Sequence, residues 1–210
     1  MLPKIQFISQ GTTPENQLNS IQKALDAGIS WIQLRYKNVP EIEVFRLAEQ
    51  IKKITETYQA LLTINDFSTI AKAIDAHGLH LGLTDGSIDQ ARDLLGNTKI
   101  IGGTANTLED VQQRFTEKCD YVGLGPLRFT TTKEKLSPTL GLEGYKNIIN
   151  AVSNATPIKP IFAIGGIQLE DVAPLMEAGI YGIAVSGMIM ETNQPLKCIK
   201  QLNEILYSYA

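Results

Sequence analysis

The sequence predicts an α/β protein, a (β/α)8 TIM barrel folded as a single compact domain over 1–210. Eight apolar strand signals follow one another along the chain, and a helix signal follows each. Strands alternating with helices pair in parallel through right-handed crossovers, and eight such units close naturally into a barrel. Most of these strands are continuous apolar runs, which a parallel sheet covered on both faces requires. The junctions into three of them are alike: Ala27-Gly28-Ile29, Cys119-Asp120-Tyr121 and Ala178-Gly179-Ile180 each lead into an apolar segment. An open doubly wound sheet is the competing arrangement. At 210 residues, about 26 for each unit, the barrel falls below the ~250 residues common for this fold.

The first strand covers 5–9 and is closed by Gln10-Gly11. Thr13 before Pro14 reads as an N-cap followed by a first-turn proline. Leu18, Ile21, Ala24 and Leu25 recur at helical spacing, and Gly28 stops that helix. A second strand, 30–34, ends in Arg35-Tyr36-Lys37. Pro40 starts a helix whose apolar positions are Val44, Leu47, Ala48, Ile51 and Ile54. The third strand, 60–64, ends at Asn65-Asp66, and a brief helix covers 68–75. His77-Gly78 punctuates that helix, with His77 expected at the surface. A very short strand follows at 79–81, in which His80 reads as a core histidine. Its loop, 82–85, leads to a helix over 88–95 stopped by Gly96-Asn97. The fifth strand, 99–101, ends at Gly102-Gly103-Thr104, and Thr107 caps a helix over 108–118.

The sixth strand, 121–124, is stopped by Gly125-Pro126. The loop after it offers hydroxyls at Thr130, Thr131 and Thr132 and cations at Arg128 and Lys133. Residues 128–141 form a candidate lid. A helix over 142–153 and a strand over 160–164 ending at Gly165-Gly166 come next. A helix over 169–177, a strand over 181–185 ending at Ser186-Gly187, and an amphipathic helix over 194–207 complete eight units. Trp31 and the aromatic residues on helices read as core.

The apolar fraction, 43%, is ordinary for a globular protein with a sizeable core. Net charge is -3 with no long basic run, which argues against a nucleic-acid partner. No apolar run reaches the ~18 residues of a membrane span, and the start of the chain lacks an apolar signal region. The two cysteines, Cys119 and Cys198, have no metal-ligand spacing and read as thiols in a reducing compartment. A cytoplasmic protein is the expectation, with its oligomeric state left open, a homo-oligomer included.

In such a barrel the C-terminal strand ends form the active-site face. Strand two supplies Gln33, Arg35 and Lys37, spaced by two. Strand three supplies Asn65 and Asp66, strand four Asp85, and strand five Thr104. Strand six supplies Thr130, Thr132 and Lys133, while strands seven and eight supply Gly165-Gly166 and Ser186-Gly187. Two carboxylates, an amide and several cations suit a magnesium ion shared with a diphosphate, since magnesium takes one or two carboxylates plus phosphate oxygens. Arg35, Lys37 and Lys133 would neutralise the remaining phosphate charge. Glycines after strands seven and eight let backbone N–H groups approach a second phosphate. Singly, each residue has a plainer explanation. Arg35 and Lys37 fit a solvated strand end, Asn65-Asp66 a helix cap, Asp85 a turn and Gly165-Gly166 a tight βα connection. Those explanations do not predict their joint occurrence at successive strand ends.

At these residues the chain resembles the thiamine-phosphate synthase family, nearly end to end. The resemblance rests on Gln33-Leu34-Arg35-Tyr36-Lys37, Asn65-Asp66, His80-Leu81-Gly82 with Asp85, Gly125-Pro126 with Thr130-Thr131-Thr132-Lys133, and the Ala-Ile-Gly-Gly-Ile run from Ala163 to Ile167. It implies a barrel enzyme that joins two small-molecule substrates with magnesium. They are 4-amino-5-hydroxymethyl-2-methylpyrimidine diphosphate and 4-methyl-5-(2-phosphoethyl)-thiazole, and the products are thiamine phosphate and diphosphate. Gln33, Arg35, Lys37, Asn65, Thr104 and Lys133 would hold the pyrimidine diphosphate. Asp66 and Asp85 would bind magnesium. Thr130, Thr132, Gly166, Val185 and Ser186 would hold the thiazole phosphate. The implied mechanism is dissociative: diphosphate leaves, a pyrimidine-methyl cation forms, and the thiazole nitrogen attacks it. No side-chain nucleophile is needed, and Arg35, Lys37 and Lys133 would stabilise the leaving charge. The chain departs from the family at Thr104, where serine is usual, at Arg128-Phe129, at His77, where aspartate is frequent, and in the opening run from Gln6 to Gly11.

Two other functions fit parts of this pattern. A thiazole tautomerase of the same fold would keep the phosphate site at strands seven and eight but would not need the acids and cations of strands two to four. A non-catalytic sensor of thiamine precursors would not need metal ligands.

Overall fold

The computed structural model describes residues 1–129, 138–155 and 158–209. Eight strands, β1 (Ile5–Ile8), β2 (Trp31–Leu34), β3 (Leu61–Asn65), β4 (Gly78–Leu81), β5 (Ile100–Ala105), β6 (Tyr121–Leu124), β7 (Ile161–Ile164) and β8 (Gly182–Val185), form a closed barrel in chain order. All neighbours are parallel. Closure is made by β1, where Phe7 is in register with Ile32 on one side and Val185 on the other.

Helices alternate with the strands: α1 (Pro14–Asp26), α2 (Glu41–Thr57), α3 (Ser68–Ala73), α4 (Ile88–Leu95), α5 (Leu108–Thr116), α6 (Gly141–Val152), α7 (Leu169–Glu177), α8 (Gly187–Glu191) and α9 (Pro195–Ser208). Local chemistry sets their starts. Thr13 accepts from the Asn16 N–H with Pro14 in the first turn, and Thr107 and Asp110 form a reciprocal capping box. Helix α8 is not among the helices that the sequence predicts. It is five residues long and buries only Ile189 fully, too little for a helical period to show. Strand β5 extends to Ala105, so Gly102, Gly103 and Thr104 lie within it rather than after it.

Because side chains alternate along a strand, two cores form. The larger lies between barrel and helices and includes Phe7, Ile32, Leu62, Ile64, Leu79, Val122 and Ile183. The smaller fills one end of the barrel interior. There Trp31, Tyr121 and Phe162, all buried, pack edge-on with ring centroids 5.1–5.4 Å apart. The indole N–H of Trp31 donates to Thr63 Oγ1 at 2.9 Å, so the plug leaves that polar atom satisfied. Gly102 makes room for it, since a Cβ there would overlap the Tyr121 ring.

Trp31 is core, as expected. His77 is not a surface residue: it is half-buried, and its Nδ1 accepts the Leu62 N–H at 3.0 Å, bracing β3 at the start of β4. Both cysteines are free thiols, with Cys119 buried. Among the described residues no helix is long and apolar enough to cross a membrane.

Candidate active site

The ends of β2, β3 and β4 bring three charged groups together. Lys37 Nζ lies 2.9 Å from Asp66 Oδ2 and 3.9 Å from Asp85 Oδ2. The backbone is shaped for this. Asp66 sits in the left-handed region at φ 69°, with its N–H donating to the His80 carbonyl at 2.9 Å. Asp85 is reached by a tight loop in which its Oδ2 accepts the Gly82 N–H at 2.9 Å. A Cβ at Gly82 would overlap that carboxylate.

The two carboxyls differ electrically. Burial, and then the hydrogen bond it shares with Asp85, push Asp66 up to about 6 against the pull of Lys37. For Asp85, burial is opposed and outweighed by the bond with Asp66, the charge of Lys37 and the Gly82 N–H, so it lies below the usual carboxylate range. One carboxyl thus holds a proton more readily than the other, a familiar outcome for adjacent acids.

Four side-chain atoms are buried without hydrogen-bond partners among the described residues; one is Gln17 Oε1, and the other three lie at these strand ends: Gln33 Nε2, Asn65 Nδ2 and Asp66 Oδ1. Leaving a buried polar atom unpaired costs roughly 1–3 kcal/mol, so two amide donors and a carboxylate oxygen in this state at neighbouring strand ends point to a ligand.

Sequence reasoning missed the residues that hold these groups. The Arg35 N–H donates to buried Ser9 Oγ at 2.9 Å, and its carbonyl accepts from buried Gln17 Nε2 at 3.0 Å. Arg114 of α5 donates to the carbonyls of Thr104 (3.0 Å) and Gly82 (3.2 Å), tying together the backbones that carry Thr104 and Asp85. Gly103 leaves the gap Arg114 fills. These partners lie 10 to 32 residues from the groups they hold, so no local motif marks them.

On the other side of the rim, Gly165 and Gly166 are left-handed at φ 91° and 68°. A Cβ on Gly165 would stand 2.6 Å from Pro126 Cβ, and one on Gly166 2.9 Å from Arg128 Cβ. The Gly-Gly pair therefore serves both a turn and the close approach of 126–128. Arg128 is committed to this packing. It forks onto Asp171, with Nη2–Oδ1 at 2.6 Å, and donates to the Gly166 carbonyl at 3.2 Å. Val185 is buried at the end of β8, and Ser186 Oγ, beside it, donates to Gln10 Oε1 at 3.2 Å. Thr130, Thr132 and Lys133, and with them most of the candidate lid at 128–141, lie outside the described residues.

Known proteins place this arrangement in a family. The family model described as thiamine monophosphate synthase matches residues 5–189. The chain is 54% identical over 208 residues to the thiamine-phosphate synthase of Flavobacterium johnsoniae, covering 99% of this chain and 98% of that protein. It is also 54% identical to the thiamine-phosphate synthase of Flavobacterium psychrophilum, covering 98% of this chain and all of that one. Among solved structures, a thiamine phosphate pyrophosphorylase from Pyrococcus furiosus superposes with a TM-score of 0.81 at 29% identity, covering 98% and 96% of the two chains. With its eight-stranded barrel, its strand-end acids and these relatives, the chain belongs to the thiamine monophosphate synthase family.

Proposed function

We propose that this protein couples 4-amino-5-hydroxymethyl-2-methylpyrimidine diphosphate to 4-methyl-5-(2-phosphoethyl)-thiazole, as a thiamine-phosphate synthase. The observation that carries this reading is the Lys37–Asp66–Asp85 cluster flanked by unpaired buried donors on Gln33 and Asn65. A diphosphate-bearing ring offers the acceptors that the amide N–H groups of Gln33 and Asn65 do not find among the described residues.

The donor set fits a magnesium ion. Asp66 Oδ1 has no partner among the described residues, and two carboxylates suffice for a metal that draws its other ligands from phosphate and water. Asp66 and Asp85 would hold the ion, which when bound supplies neutralising charge to the diphosphate.

In this reading Gln33, Asn65 and Thr104 orient the pyrimidine diphosphate. Arg35, Lys37 and Lys133 hold its diphosphate and stabilise the charge that grows on it as the C–O bond breaks. The electron pair of that bond leaves with diphosphate, and the resulting pyrimidine-methyl cation is captured by the thiazole nitrogen lone pair, forming the C–N bond. No proton needs to move, which accounts for a rim of charge-stabilising groups without an activated nucleophile. Thr130, Thr132, Gly166, Val185 and Ser186 hold the thiazole phosphate so that its nitrogen faces the cation. Water must be kept out, since it would capture the cation first.

The test is diphosphate release by purified protein with both precursors, with either omitted, and with or without magnesium. Release that needs both precursors and the metal is expected. Isomerisation of the thiazole phosphate with no diphosphate release would instead make the protein a tautomerase.

A further inference from the structure

Between the aromatic plug and the strand-end rim runs a line of buried polar side chains. Gln6 Nε2 donates to Tyr121 Oη at 3.1 Å, Tyr121 Oη meets His80 Nδ1 at 3.0 Å, and His80 Nε2 meets Thr104 Oγ1 at 3.0 Å. Gln6, Tyr121 and His80 are buried, while Thr104 is half-buried at the end of the line. Apolar side chains would fill this volume at lower cost, since every buried polar group here must find a partner.

Neighbouring strands are cut to fit the line. A Cβ at Gly102 would overlap the Tyr121 ring, and one at Gly123 would stand 3.2 Å from His80 Cε1. Neither glycine has a left-handed backbone, so space for these two rings is what they provide.

The chemistry of the donors gives the line a direction. An amide nitrogen only donates, so Tyr121 Oη accepts from Gln6, with the Gln33 side chain also close enough to act on the phenol oxygen. Burial holds the phenol protonated, far above its ordinary 10. A phenol that accepts from Gln6 still has its one proton to give, and His80 Nδ1, at 3.0 Å, is the acceptor the geometry offers it. An imidazole that accepts at Nδ1 carries its proton on Nε2, the nitrogen that faces Thr104 Oγ1 at 3.0 Å. A threonine hydroxyl that accepts there has its own proton free to give on the rim side.

We propose that Gln6, Tyr121 and His80 are positioning residues that fix the Thr104 hydroxyl as a hydrogen-bond donor to an acceptor atom of the bound pyrimidine diphosphate. The ligand in this statement rests on the function proposed above, whereas the direction of the relay does not. A threonine hydroxyl left to rotate could accept or donate; the relay removes that choice before substrate arrives, which is preorganisation in the ordinary sense.

Two measurements test it. The first is the His80 tautomer in the unliganded protein, by nitrogen NMR of the ring. Nε2–H in the wild type, shifting toward a mixture in Tyr121→Phe, is expected; Nδ1–H in the wild type would overturn the relay. The second is steady-state kinetics on Tyr121→Phe, Thr104→Val and the double variant. Tyr121→Phe keeps the ring that the plug packs against. It should raise KM for the pyrimidine diphosphate about tenfold, the scale of one hydrogen bond to a charged ligand, with KM for the thiazole phosphate unchanged. In the Thr104→Val background the same change should have no further effect. His80→Gln, which keeps a donor near the Nε2 position, should retain more of the affinity than His80→Leu. Full additivity of the Tyr121 and Thr104 effects would show that Tyr121 acts on packing alone and would sink the proposal. Should the wild type fail to couple the two precursors, the assigned ligand falls, and the tautomer still decides whether the relay exists.

Discussion

The two ends of the barrel interior are built by opposite rules. At one end Trp31, Tyr121 and Phe162 interlock edge-on and buried, and the Trp31 N–H has its acceptor. At the other, Gln33, Asn65 and Asp66 keep polar atoms buried without partners among the described residues, and two acids share one lysine. The plug is satisfied and adds stability. The rim carries unmet hydrogen-bonding capacity and a carboxyl held near 6, both of which cost stability in the unliganded protein. Strain and unsatisfied groups persist in a fold only when the rest over-determines them, so the plug and the outer core are what let the rim stay poised.

The sharpest way to break the contrast is to hollow the plug. Phe162→Ala should cost about 3–5 kcal/mol of unfolding free energy, the range for a large aromatic removed from a packed core, as read by denaturant titration. A loss under about 1 kcal/mol would mean that the plug adds little. On the rim, Asp85→Ala should leave the unfolding midpoint near that of the wild type while lowering diphosphate release roughly a hundredfold, a loss of about 2.7 kcal/mol in transition-state stabilisation. Full activity in that variant would remove Asp85 from the site.

Asp66→Asn sharpens the comparison in the other direction. Because the folded protein holds this carboxyl at about 6, above its ordinary 3.8, the native state binds the proton more tightly than the unfolded chain. Stability therefore falls as pH rises from about 4 to about 6, and the cost is fully present above that window. Removing the acid should raise the melting temperature at pH 7.5 by a few degrees, on the order of 1–2 kcal/mol, and the gain should vanish at pH 4, while activity is lost. A lower melting temperature at pH 7.5 would show that the ion pair with Lys37 outweighs the burial cost.

The smallest effect is expected at His77. Burial, with Lys52 and Lys99 nearby, lowers its pKa below the ordinary 6.5, so the folded protein favours the neutral ring that accepts the Leu62 N–H. The unfolded chain then binds more protons as pH falls through 6.5, and stability should drop on that side by less than about 1 kcal/mol. His77→Gln should flatten this part of the stability-pH curve, and an unchanged curve would reject the assignment.

Much of this was legible in the amino-acid order. Alternating apolar strands and helical periods marked eight units, and polar residues at strand ends marked the rim, because both are local patterns. Helix α8 escaped because five residues with one fully buried position make no period. The end of β5 was misplaced because Gly102 and Gly103 look like a stop, whereas each clears space for a side chain from a neighbouring element, Tyr121 and Arg114. His77 looked like a surface residue because its partner, the Leu62 N–H, belongs to the preceding strand.

By itself the sequence determined the βα order, the covered parallel sheet and the identities of the acids, amides and cations at the rim, since these follow from periodicity and residue chemistry within a few positions. Only the tertiary structure decided which of those groups meet, which polar atoms stay unpaired among the described residues, and that Gln6, Tyr121, His80 and Thr104 stand in one line. The physical reason is distance along the chain. Gln6 and Tyr121 are 115 residues apart and His80 and Tyr121 41, so their hydrogen bonds exist only once the barrel closes.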